Sequence, residues 1–119
     1  GVTFTGDATG QSVSIITPGD VNGLALTATA GDVTVGANAM AVGAVSATGN
    51  VELTATRGVQ TGNIDAGGTI TVTSTGTGAN AGALALGNVD AGQAVALSAG
   101  GAITAGVVNS DTSSVTITS

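Results

Sequence analysis

Residues 62–73 read Gly-Asn-Ile-Asp-Ala-Gly-Gly-Thr-Ile-Thr-Val-Thr, and both halves of this stretch recur along the chain. The first half has the pattern Gly-x-apolar-x-small, which returns at residues 43, 87 and 106, so that successive copies begin 19, 25 and 19 residues apart. The second half alternates apolar and polar residues, and a similar segment begins six or seven residues after the central apolar residue of every copy. A recurring period of this length is typical of stacked repeat units.

A third apolar position completes the repeat, three residues before each repeated glycine. It is occupied by Met40, Val59, Leu84 and Ile103. Alternation with period two, in segments rich in Val, Ile and Thr, favours strands over helices. Three short strands separated by Gly-rich corners predict an all-β fold. We expect a parallel β-helix, or β-solenoid, with three short strands in each coil of 19–25 residues and five to six coils.

The repeat also predicts the domain organisation. Residues 1–119 are expected to form a single β-solenoid segment. Residues 1–20 match the repeat poorly and are predicted to be an atypical first coil or an edge. Two stretches lengthen the repeat, near residues 36–42 and 75–83, and either could be a loop or an extra strand.

The alternation separates inward from outward positions. We take Leu24-Ala25-Leu26-Thr27 as the earliest copy of the alternating segment. The predicted core ladder then consists of Leu24, Val51, Ile70, Val95 and Val115, together with Leu53, Val72, Leu97 and Ile117. The repeated glycines are predicted to turn the corners, where glycine supplies the positive φ that other residues avoid: Gly43, Gly62, Gly87 and Gly106.

The outward positions contain a possible hydroxyl face. Five side chains are predicted to form one column: Thr27, Thr54, Thr73, Ser98 and Thr118. A flat threonine array could bind ice or a glycan. Threonine is also a common exposed strand residue, and Glu52, Ala25 and Ala96 interrupt the neighbouring column, which favours the structural interpretation.

Two acidic residues are a weak candidate for a metal site. Asp65 and Asp90 occupy the same position of successive repeats, with Asn109 in the next. Stacked carboxylates could hold a cation. Asx turns that close the corner are the simpler interpretation, and the calcium-binding nonapeptide pattern is absent from the sequence.

Composition excludes several classes of function. The chain has 21 Gly but no His, Cys, Trp or Tyr, and its only Lys or Arg residue is Arg57. The usual zinc ligands, thiol or imidazole catalysis and disulfides are therefore excluded. A net charge of -6 gives no footprint for nucleic acid. No apolar run is long enough for a membrane helix, so we expect no membrane insertion. Because the residue types listed above are missing, we also expect no cofactor and no enzymatic activity.

Three segments carry a resemblance to a known family. They are Gly49-Asn50-Val51-Glu52-Leu53-Thr54-Ala55, Gly67-Gly68-Thr69-Ile70-Thr71-Val72 and Gly101-Ala102-Ile103-Thr104-Ala105-Gly106. They resemble the repeats of filamentous haemagglutinin-like exoproteins, the large bacterial adhesins of two-partner secretion and their autotransporter relatives. The resemblance covers roughly residues 20–119. It implies a right-handed β-helix, an outer-membrane export partner and a secreted or cell-surface location, and it supplies no catalytic residues.

The expected function is therefore structural. We predict a shaft segment of a secreted bacterial surface adhesin or extracellular fibre. Its partners would be adjacent repeats or other copies of itself, stacked end to end into filaments, and possible targets include a host or neighbouring-cell surface. The alternative from a different class is a binding module that uses the outward threonine face for ice or glycan.

Overall fold

A computed structural model of the chain describes residues 2–3, 8–23, 25–76 and 82–119. These ranges contain sixteen strands in two sheets. Every pairing between them is parallel, as the register of each neighbouring pair shows. Within the same ranges no residue is helical, and no helix could cross a membrane. The predicted parallel β-solenoid is confirmed.

The strands are short, apart from two that continue around a corner. In chain order they are β1 (Val2–Thr3), β2 (Ala8–Gly10), β3 (Val13–Ile16), β4 (Val21–Asn22), β5 (Leu26–Ala28), β6 (Val33–Ala41), β7 (Val45–Ala47), β8 (Val51–Gln60), β9 (Ile64–Ala66), β10 (Ile70–Ser74), β11 (Leu84–Ala85), β12 (Val89–Ala91), β13 (Val95–Ser98), β14 (Ile103–Thr104), β15 (Val108–Ser110) and β16 (Val115–Thr118).

Each turn of the solenoid has three faces. The first face contains β3, the first halves of β6 and β8, β10, β13 and β16, and the second contains β1, β4, the second halves of β6 and β8, β11 and β14. The third face is a separate six-stranded sheet of β2, β5, β7, β9, β12 and β15. The winding of the chain is visible on the second face, where five successive pairings in register correspond to five full turns. The six residues that these pairings join are Val2, Val21, Met40, Val59, Leu84 and Ile103.

The inward columns form one continuous hydrophobic core. Val51, Ile70 and Val95 stack in register on the first face and are at most 1% exposed. Leu53, Val72 and Leu97 form the next inward column and are equally buried. Full burial of such a side chain contributes roughly 1.5–3 kcal/mol. Each turn therefore supplies one buried layer, and that layer stays buried only while another turn covers it.

The predicted first copy of the alternating segment, Leu24-Ala25-Leu26-Thr27, is wrong. Leu26 pairs with Val45 on the third face, whereas the residue that pairs with Val51 is Val33. Leu24 lies outside the described residues. The error has a physical cause, because a half-buried strand alternates in the same way on every face. The number of residues at the corner decides where the next strand begins. Val33 follows Leu26 by seven positions, whereas Val51 follows Val45 by six.

The described residues of the first twenty, which are 2–3 and 8–20, follow the same three faces. β3 pairs with β6 over four consecutive residues, beginning with Val13 on Val33, and β2 pairs with β5. β1 and β2 are the outermost strands of their sheets, and β3 is the first strand of the first face. The described strands of this segment are therefore edge strands that lie on the same faces as the later turns.

Only one of the two predicted insertions lengthens a turn at the corner between the first and second faces. The insertion predicted near residues 36–42 is wrong, because the two positions from Ala37 to Ala39 stand opposite three positions of β8, from Ala55 to Gly58. Residues 36–41 belong to β6, which continues along β8 with a register shift between Ala37 and Ala39. Farther along the chain, Ser74 pairs with Ala55 and Leu84 with Val59. Ten positions therefore replace four at this corner. Residues 77–81 of the second stretch lie outside the described part of the chain.

The last turn completes the columns without being buried. Val115 and Ile117 pair with Val95 and Leu97, yet they are 42% and 53% exposed. The sequence pattern placed both residues in the core because it identifies an inward position, and it does not report whether a further turn covers that position.

We expect Leu97→Ala to lower the free energy of unfolding by about 2–5 kcal/mol, the usual cost of truncating a buried leucine. Ile117→Ala, one turn along the same column, should cost less than about half as much, because most of the removed surface is already in contact with water. Urea denaturation at low protein concentration measures both values. Equal losses would show that the last turn is covered in solution.

Candidate functional site

The repeated glycines form one corner column. The amide of Gly62 donates to the carbonyl of Gly43 at 3.1 Å, Gly87 donates to Gly62 at 3.1 Å, and Gly106 donates to Gly87 at 3.0 Å. The reason for glycine differs from the expected one, since Gly62, Gly87 and Gly106 all lie outside the left-handed φ region. A Cβ on Gly87 would lie 2.5 Å from Asn63 Oδ1 and 2.9 Å from the carbonyl carbon of Gly62. Close approach of successive turns therefore demands glycine.

An amide or carboxylate oxygen of the preceding turn fills the space that such a glycine leaves. Asn63 Oδ1 accepts a hydrogen bond at 2.9 Å from the amide of Asn88, the residue after Gly87. Because Gly87 has no side chain, this oxygen can reach the backbone of the next turn. Four pairs share the arrangement: Asp32 with Gly49, Asn50 with Gly68, Asn63 with Gly87, and Asn88 with Gly106.

We call these four pairs the Asx–Gly clasps. Each joins two turns through a hydrogen bond of 2.8–3.0 Å. Sequence reasoning missed them because it treated asparagine and aspartate as closing their own corner. The Gly-Asn dipeptides at 49–50, 62–63 and 87–88 were the available signal.

The acidic column lies on the third face. Asp65, Asp90 and Asn109 occupy successive turns in register, and all three are exposed. Asn109 Nδ2 donates to Asp90 Oδ1 and to Asp111 Oδ1, at 3.2 Å each. Among the described residues, no three acidic groups come together as a metal site would require. The column therefore links two turns through the hydrogen bond from Asn109 to Asp90.

The hydroxyl column is on the first face, with one correction. Thr54, Thr73, Ser98 and Thr118 lie in register on successive turns. Thr27 does not belong to this column, because it pairs with Thr9 and Ser46 on the third face. The correction follows from the register error at Leu26. Gly36 occupies the place expected for Thr27, so the hydroxyl column begins at Thr54.

A shallow groove of about 510 Å³ crosses the second face. Ala41 and Ala85 line it together with Gln60, the outward residue of the turn between them. Asp20 and Arg57 add charged groups to its lining. Of the described residues that line the groove, none is aromatic. Sequence reasoning missed this groove because its residues come from separate turns.

We expect Gly68→Ala to lower the free energy of unfolding by about 1–3 kcal/mol, the usual cost of overpacking. Its Cβ would overlap Asn50 Oδ1, while the next nearest atoms lie at 3.2 Å. In an Asn50→Ala background the same change should cost much less, so that a double-mutant cycle shows strong coupling. Thermal and urea denaturation of the four proteins measure the coupling.

Gly67→Ala is the matched control for this cycle. The nearest atom to its Cβ would be the backbone carbonyl oxygen of Thr48, which no side-chain truncation removes. Thr48→Ala should therefore leave the cost of Gly67→Ala unchanged. Additive costs in the Gly68 and Asn50 cycle would contradict the clasp.

No protein-family model, curated protein or solved structure matches the chain. The stacked columns and the outward faces are therefore the features of the chain that bear on its function.

Proposed function

We propose that the chain is a structural shaft segment of a secreted bacterial surface adhesin or extracellular fibre. The observation that carries the proposal is the repetition of contacts that join one turn to the next. Each turn stacks in parallel register on its neighbour, and the same type of clasp recurs along the corners. In such a protein the stability is approximately a sum over units and their interfaces. That property suits a rod whose length can vary.

The difference between inward and outward positions supports a structural role. On the first face the inward position is β-branched in every turn from the second to the sixth: Val33, Val51, Ile70, Val95 and Val115. The adjacent outward position varies in size, polarity and charge: Thr34, Glu52, Thr71, Ala96 and Thr116. The repeat thus preserves the residues that stack, and it leaves the solvent-facing residues free to change.

The amino-acid composition and the family resemblance support a secreted or cell-surface location. Only 7% of the residues are charged, and a solenoid of this kind can fold turn by turn from any point. Both properties suit a chain that crosses an envelope unfolded and folds outside. The likeness of residues 20–119 to filamentous haemagglutinin-like repeats points to the same surroundings, with an export partner in the outer membrane.

Removal of one complete turn tests the shaft directly. Deletion of residues 51–69 joins Asn50 to Ile70, which occupies the same column position as Val51. We expect a folded, cooperative β-protein whose urea m value falls by about one sixth, in proportion to the surface removed. Circular dichroism and urea denaturation provide the readout. As a control, deletion of residues 51–59 removes part of a turn, breaks the register and should unfold the chain.

A binding assay separates the shaft from a binding module. A shaft segment shows no saturable binding to a glycan array or to cell surfaces, and outward substitutions leave it unchanged. Saturable binding that one outward substitution abolishes would contradict the structural role, even if the turn deletion folds.

The hydroxyl column supports a second candidate function, an ice- or glycan-binding face. Four hydroxyl side chains lie in register on one parallel sheet, although Glu52 occupies the adjacent outward column. If this face binds ice, Thr54→Lys with Thr73→Lys should abolish thermal hysteresis while leaving the fold intact. The matched control is Thr27→Lys, on the third face. Absent or unchanged hysteresis would eliminate ice binding, and the glycan array tests the remaining ligand.

A further inference from the structure

The second face is where the charges of the described residues balance. Asp20 and Arg57 are the two charged groups beside it, and both line the groove of about 510 Å³. The other described acidic residues lie on the first and third faces or at the corners next to them: Asp32, Glu52, Asp65, Asp90 and Asp111. Because each copy of the chain carries a net charge of -6, copies that approach through those faces repel each other. Repulsion between copies is therefore weakest at the second face.

The outward side chains of this face are smallest at the centre of the groove. Ala41 pairs with Asn22 of the preceding turn and with Gln60 of the following turn, so these three residues form one outward column. Ala39 is the other outward residue of the middle turn. The middle turn thus carries only alanine on its outer side, while the turns on either side of it carry longer polar side chains.

We propose that this face binds the same face of a second copy of the chain, through a two-fold axis that crosses the middle turn. The axis lies between the two faces and runs along the strands, so it exchanges the two turns that flank the middle one. Asn22 of one copy then faces Gln60 of the other, and Asp20 faces Arg57. Each pair occurs twice, as in any contact between identical surfaces about a two-fold axis. The surface is therefore complementary to itself.

The register of the strands brings the charged pair together. Val21 pairs with Met40, and Ala39 pairs with Gly58, so Asp20 lies level with Gly58 along the strand direction. Arg57 precedes Gly58 by one residue, a displacement of about 3.3 Å that an arginine side chain spans. Two-fold symmetry about the solenoid axis would instead set each turn against the equivalent turn of the other copy. That arrangement places no guanidinium opposite a carboxylate, so the charges select the first orientation.

The lengths of the side chains also fit. Sheets that pack face to face lie about 10 Å apart, and alanine at positions 39 and 41 permits that approach at the axis. An asparagine and a glutamine that extend from opposite sheets can then meet through their amides. Their carbonyl oxygens accept and their amide nitrogens donate, so such a pair can form hydrogen bonds in either sense.

Neither charged group has to give up a contact within its own chain. Asn38 Nδ2 donates to Asp20 Oδ1 at 3.1 Å, and an ionised carboxylate has further lone pairs for a second donor. The guanidinium of Arg57 has several N–H donors, so it can bind the carboxylate of another copy beside an internal partner. Outward side chains also stay exposed whether or not further turns stack on the solenoid.

The proposal goes beyond the shaft role and does not depend on it. Three turns on each side make a small contact, in the class below about 1,200 Å² that is typical of weak or transient association. We therefore expect rapid exchange between monomer and dimer. In a fibre this contact would join shafts side by side.

An exchange of charges between two variants tests the contact and its orientation. Asp20→Arg sets two cations against each other in a dimer of that variant, and Arg57→Asp sets two carboxylates against each other. We expect each variant alone to associate about tenfold more weakly than the unmodified chain. An equimolar mixture of the two should recover the association, because both pairs then again have opposite charges. Sedimentation equilibrium up to millimolar concentration measures all four samples, and circular dichroism verifies that the variants fold.

Glu52→Arg is the matched control, since it makes the same change of charge on the first face. Both Asp20→Arg and Glu52→Arg reduce the net negative charge, so general repulsion alone would strengthen the association of both. The proposed contact predicts that Asp20→Arg weakens association while Glu52→Arg does not. Equal effects of these two variants, a mixture that associates no better than its components, or a monomer at every concentration would each overturn the proposal. None of these outcomes alters the turn-deletion test of the shaft.

Discussion

The spacing between successive turns is the constraint on which the rest of the structure depends. Parallel strands can pair only when their backbones lie about 4.8 Å apart, and the chain maintains that distance around corners as well as along strands. The corner amides show this, since Gly62, Gly87 and Gly106 each donate to the glycine of the preceding turn at 3.0–3.1 Å. Bulk at a corner would force the turns apart, and the buried columns on all three faces would then lose contact. The high glycine content is therefore a packing requirement of the stack.

The same spacing explains why asparagine accompanies glycine. An exposed corner has backbone amides that no strand pairs, and an asparagine from the preceding turn can reach one of them only if the intervening residue has no side chain. The Asx–Gly clasps meet this need, as Asn50 does with the amide of Thr69 at 2.8 Å beside Gly68. Two residues that commonly mark turns in sequences act here across turns. The clasps therefore secure the corners, where sheet pairing is weakest.

The sequence predicts the features that follow from its repeat period, and it fails where contacts between successive turns determine the structure. The inward columns from Val51 onward follow from local alternation, and the structure places them in register. Alternation cannot distinguish one face from another, which is why Leu26 was assigned to the first face when it belongs to the third. The role of Gly87 was misjudged for a related reason, because closeness to Asn63 in the preceding turn is a contact that no local pattern displays. The groove beside Arg57 is likewise assembled from several turns.

Stacking also makes the burial of a turn depend on how many neighbouring turns cover it. An inner turn gains from two neighbours, whereas the last turn gains from one, so Ile117 remains 53% exposed in a column where Leu97 is 1% exposed. In a one-dimensional array of nearest-neighbour contacts, whatever covers that end adds an interface of the same kind as those inside. A shaft can therefore be lengthened turn by turn, because each added turn buries the apolar side chains of the turn beneath it.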